Sequence, residues 1–136
     1  MRPPGEIQRQ LDAAHAYAPV VAGLEPTSHR YTAGQAATLA WLVGLAGDPL
    51  PTNPGVWPTV SLDIEGTIAT AAPTAADVRR LKRQTREFLG NTRVLPENVD
   101  DPDPAEVLSH SYVAGVAHVC DWALRYTPTP PFRIAP

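Results

Sequence analysis

The chain has 136 residues, of which 43 % are hydrophobic and 18 % charged, and its net charge is -3. These values fit one folded domain with a real core, and they exclude a disordered tail, a collagen-like repeat and a disulfide scaffold. Ten Arg stand against one Lys, Lys82. With abundant Ala, Pro and Gly, this usage points to a GC-rich bacterium or phage, so Arg in place of Lys carries little functional weight. The single Cys120 forms no internal disulfide and reads as a small buried hydrophobe in a reducing compartment. No stretch approaches the ~18 apolar residues of a membrane span, and no apolar signal core follows the first residues. A cytoplasmic location without a membrane partner is expected.

Sixteen prolines mark where helices cannot continue. In residues 5–18, Ile7, Leu11, Ala14 and Ala18 recur at helical spacing, and Pro19 is expected to end the run. Residues 27–46 give a second helix, with Thr27 or Ser28 as N-cap and Gly47 as stop. The segment 48–58 is too rich in proline for regular structure. Residues 59–72 alternate weakly and have no strand partner, which favours coil with one helical turn. Residues 74–89 give a third helix, opened by a Thr74/Asp77 capping box and closed by Gly90-Asn91. Residues 103–126 give the fourth, with Asp103 as cap and Pro104 in the first position. The tail 127–136 is proline-rich and extended.

Two segments match each other. Ser28-His29-Arg30-Tyr31-Thr32-Ala33-Gly34-Gln35-Ala36 leads to Trp41, and Ser109-His110-Ser111-Tyr112-Val113-Ala114-Gly115-Val116-Ala117 leads to Trp122. The expected fold is therefore all-α. Two αα-hairpins, 5–46 and 74–126, form a pseudo-two-fold four-helix bundle with a Pro-rich central loop, 47–73. The shared stripe is Tyr31, Gly34, Thr38, Trp41 and Leu45, matched by Tyr112, Gly115, Val119, Trp122 and Tyr126. Glycine costs ~1 kcal/mol in a helix interior. One on each stripe predicts a close backbone crossing at Gly34 and Gly115.

Three constellations could carry chemistry. His110, His118, Asp121 and Arg125 share one arc of the last helix, nearly opposite the aromatic stripe, and His29 is the repeat mate of His110. A site on His29, His110, His118 and Asp121 would be a metal centre or an acid-base site. The same arc also reads as a solvated polar face. Arg79, Arg80, Lys82, Arg83 and Arg86 make a cationic helix that could meet phosphates or the acidic run Glu97, Asp100, Asp101, Asp103 and Glu106. A hydrolase triad has no GxSxG elbow to support it. Trp57 and Phe132 are aromatics in proline-rich context and are expected to be exposed anchors for a partner.

The reading that follows is a small, non-catalytic protein-interaction module of adaptor, regulator or inhibitor type, without a cofactor. Its partner is another protein, and the modest core is compatible with a homodimer. A nucleic-acid regulator using 79–86 and a metal-dependent or small-molecule enzyme using the histidines are the alternatives.

Overall fold

The computed structural model describes residues 1–21, 23, 26–45, 47, 49–50, 72–91 and 104–132. Four helices are found among them, with no strand: α1 (Pro4–Val21), α2 (Pro26–Leu42), α3 (Ala75–Asn91) and α4 (Pro104–Ala123). Trp57, the acidic residues 97–103 and all but the last residue of 59–72 lie outside the described residues.

The helix starts follow local chemistry. Pro4 opens α1, and the Pro3 carbonyl accepts the first helical bonds from Glu6 and Ile7. Thr74 caps α3 by accepting from the Asp77 N–H at 3.3 Å, while Asp77 Oδ2 accepts from the Thr74 N–H at 2.9 Å. This is the reciprocal box expected, with Asp doing what Glu usually does. α4 begins at Pro104, in the first helical position as expected.

The ends depart from expectation. Pro19 does not stop α1, which runs to Val21. A proline in the final turn gives up only its own bond to the carbonyl four residues back, and the helix ends before more is asked of the backbone. α2 begins at Pro26, ahead of both expected caps, and ends at Leu42 rather than near Gly47. Gly44, at φ 80°, supplies the left-handed turn: its N–H bonds to Trp41 O at 3.0 Å, and that of Leu45 to Ala40 O at 2.9 Å. That pair of bonds is a Schellman stop. α4 ends the same way. The Arg125 N–H bonds to Trp122 O at 3.0 Å and that of Tyr126 to Asp121 O at 2.8 Å, with Arg125 at φ 65°. A side chain in this conformation costs roughly 1–2 kcal/mol that glycine avoids.

α2 and α4 form the central pair, with α1 packed on α2 and α3 on α4. This is a four-helix bundle. Gly34 and Gly115 sit at the crossing. A Cβ on Gly34 would lie 3.0 Å from the Tyr112 carbonyl carbon, closer still to its oxygen, and 3.2 Å from the Val116 nitrogen. A Cβ on Gly115 would meet Tyr31 and Gln35 in the same way, at 3.0 and 3.1 Å. Each glycine thus lies against one hydrogen-bonded turn of the other helix, and the two contacts mirror each other. The predicted crossing is present.

Around it the core holds Leu11, Leu39, Leu81, Val78, Val113, Val116, Val119 and Cys120. Thr38 is buried because its hydroxyl bonds back to Gly34 O at 2.8 Å. Trp41 and Trp122 are both buried. The stripe fails at its end, where Tyr126 is 61 % exposed. The left-handed turn at Arg125 swings Tyr126 out of the helical path, and its ring lies 4.1 Å from Lys82 Nζ.

Arg2 ties the chain start to the end of α4. It donates from its backbone to Ala123 O at 2.8 Å and from its guanidinium to Trp122 O at 2.6 Å and Thr127 O at 3.1 Å. The guanidinium also lies over the Trp122 ring, 4.8 Å from its centre. A cation here answers the unsatisfied carbonyls of the helix end.

Candidate functional site

The densest polar cluster among the described interhelical contacts is centred on His118. Tyr31 Oη lies 2.8 Å and Gln35 Nε2 3.0 Å from His118 Nδ1, and His118 Nε2 lies 3.3 Å from Thr129 O. Tyr31 and Gln35 come from consecutive turns of α2, His118 from α4, and Thr129 from the tail. Burial raises the Tyr31 phenol above its ordinary value, so it keeps its proton. An imidazole that carries its proton on Nε2, facing the Thr129 carbonyl, leaves the single lone pair of Nδ1 for the Tyr31 hydroxyl and the Gln35 amide to share. The Tyr31 and His118 rings are 6.2 Å apart at a 35° tilt. His118 is therefore no part of a solvated face opposite the aromatics, because the stripe tyrosine itself reaches it.

The other arc residues separate. Asp121 forms an ion pair with Lys82 of α3. Lys82 is well buried, its ammonium held between the carboxylate and the Tyr126 ring. This pair fixes α3 on α4. His29 and His110 are half-buried, and no hydrogen bond joins them to His118 or Asp121. No group of three or more His, Cys, Asp or Glu side chains that could hold a metal ion occurs among the described residues. The four residues proposed as a metal centre are thus not brought into one.

On α3 the buried side is Val78, Leu81 and Thr85, with Phe88 and Leu89 packed against the core. Arg79, Arg80, Arg83 and Arg86 are exposed. Arg80 lies 3.7 Å from Asp77. No ion pair with Arg79, Arg83 or Arg86 occurs among the described residues. They recur at spacings of four and three, which places them on one face.

Phe132 corrects its expectation most sharply. It is 7 % exposed and belongs to the core cluster. Gln10 accepts from the Phe132 N–H at 2.8 Å and donates to the Phe132 carbonyl at 3.0 Å, and Tyr17 packs on its ring at 6.0 Å between centres. An aromatic in a proline-rich tail found its apolar surface within the chain.

Arg2, Gln10, Tyr31, Gln35 and Thr129 were not singled out as a site by sequence. One signal was available. The repeat places Gln35 against Val116 and His118 against Ala37, so each polar residue sits where the mate is apolar. A pseudo-symmetric scaffold does not demand such a departure.

The site and the bundle define an all-α helical protein, and none of its described helices is long and apolar enough to cross a membrane. No family model, no curated protein and no solved structure matches the chain.

Proposed function

We propose that this chain is a non-catalytic protein-interaction module of the bacterial cytoplasm, and that the exposed arginine face of α3 is its contact surface. The observation that carries this reading is the row Arg79, Arg83 and Arg86, free of acidic partners among the described residues on a helix whose opposite side is buried. Arginine is enriched at protein interfaces and gives planar, two-point contacts to carboxylates. The matching partner is an acidic helix face with carboxylates at the same spacing.

A fluorescent helical peptide carrying Glu at spacings of four and three, and a duplex DNA of mixed sequence, are the probes. Anisotropy is expected to show peptide binding that disappears in Arg79→Glu/Arg83→Glu/Arg86→Glu. Binding of duplex DNA alone, falling steeply with salt, replaces the protein reading with the nucleic-acid one. Binding of neither probe removes the arginine face as a contact surface.

A further inference from the structure

The arginine row of α3 has an aromatic neighbour that comes from another helix. No aromatic stands among residues 79–86, so along the chain the row is purely cationic. The turn after α4 changes that. The Lys82 ammonium lies over the Tyr126 ring, 4.1 Å from its centre. Lys82 is three residues after Arg79 and four before Arg86, so it shares a helix face with both. The ring therefore stands beside the middle of the row.

Tyr126 is 61 % exposed, more than any other large apolar side chain among the described residues. It is also held in place. The Lys82 ammonium is anchored in turn by the Asp121 carboxylate, and the Tyr126 N–H bonds to Asp121 O at 2.8 Å. An exposed ring whose position is already fixed loses little further freedom when a partner covers it. Arg125 turns the chain there at φ 65°, a conformation that glycine takes without strain. Its side chain is exposed and forms no ion pair among the described residues. The turn thus joins a strained backbone, a fixed exposed aromatic and a further cation, where the stop of α2 makes do with Gly44.

We propose that Arg125 and Tyr126 extend the arginine face of α3 into one composite surface, whose occupant is an amphipathic helix of a partner protein with carboxylates along one edge and an apolar stripe beside them. The surface contains the arginine face already proposed, on which this reading rests, and Tyr126 decides which acidic partners it keeps. Charge complementarity names the edge: Arg79, Arg83, Arg86 and Arg125 have no acidic partner among the described residues and meet carboxylates at two points each. The open part of the Tyr126 ring names the stripe, since a tyrosine anchor adds apolar contact that salt does not screen. Carboxylates alone give steering and weak capture.

Two fluorescent helical peptides, titrated with the full-length chain and followed by anisotropy, test this. Both carry Glu at spacings of four and three. One has leucines on the stripes flanking the glutamates, and the other has alanines there. The leucine peptide is expected to bind about tenfold more tightly and to keep more of its affinity as salt rises. Tyr126→Ala is expected to abolish that preference while leaving the alanine peptide within about twofold, and Tyr126→Phe to retain it. Arg125→Gly is expected to weaken both peptides alike, by about threefold. Circular dichroism on each variant separates loss of contact from loss of fold. Equal affinity for the two peptides, or a leucine preference that survives Tyr126→Ala, overturns the composite surface and leaves the arginine face standing. Binding of neither peptide removes both. Capture of single-stranded oligothymidine in place of the peptides, lost in Tyr126→Ala, overturns the proposal in favour of nucleic acid.

Discussion

The two central helices share a sequence pattern and a crossing, yet the chain leaves them differently. After α2, the buried Tyr112 donates straight to Pro49 O at 2.9 Å, on the segment that follows the helix. After α4, the repeat mate Tyr31 reaches the following segment only through His118, whose far nitrogen faces Thr129 O. α2 turns on a glycine and α4 on an arginine. The surroundings of Tyr112 are the plainer solution, with apolar Ala37 and Val116 in the positions where those of Tyr31 have His118 and Gln35. The shared features are those that backbone packing requires. The differences collect around the tail.

The largest expected effect tests the shared part. Gly34→Ala and Gly115→Ala each force a methyl into the opposing backbone. Each is expected to cost about 3 kcal/mol or more, beyond the usual overpacking range because backbone cannot move aside. Urea denaturation checks this. A large cost at one glycine with a negligible cost at the other would break the two-fold description.

The next effects test the differences. Lys82→Ala leaves the Asp121 carboxylate without its cation. It is expected to cost about 1–2 kcal/mol, less than a fully buried pair because Asp121 keeps some solvent, with no counterpart at Ala40 in α2. Tyr112→Phe is expected to cost about 1–2 kcal/mol by stranding a buried carbonyl. Tyr31→Phe costs less, because Gln35 still donates to His118. Thermal unfolding of the pair measures the asymmetry directly, and equal losses would remove it.

Smaller still, Arg125→Gly is expected to stabilise the fold by about 1 kcal/mol, while Gly44→Ala destabilises by a similar amount. Measured at low protein concentration, opposite signs at these equivalent positions would sharpen the comparison. The smallest effect is electrostatic. Its backbone hydrogen bond with Thr74, then the Thr74 side chain and nearby Arg80, hold the Asp77 carboxyl below its ordinary value. The cap therefore contributes fully above the ordinary carboxylate range and is lost as pH falls through the depressed value. Asp77→Asn removes the titrating group and is expected to flatten that part of the stability-pH curve, and an unchanged acid limb would show that the box does not act.

Much of the local architecture was legible in the residues. Pro104 at a first helical position and Thr74 facing Asp77 announce helix starts within a single turn of sequence. The glycines at the crossing were legible because glycine in a helix needs a reason, and a second one at the matching place supplies it. The ends were less so. Gly47 was the expected stop of α2 where Gly44 makes the turn, and Arg125 in a left-handed turn contradicts the residue preference on which such readings rest.

The site was legible in part. His118 and Asp121 stood out by type, but their periodicity names a face and not what lies across it. Sequence alone determined where the helices lie, which stripe carries the close contact and that the fold is all-α, because spacing, capping and glycine cost act within a few residues. Only the tertiary structure decided that Tyr31 and Gln35 meet His118, that Lys82 meets Asp121, and that Phe132 returns to Gln10 and Tyr17. Those partners are distant in the chain, and each side chain had more than one favourable place to go until the packing of α2 against α4 left one.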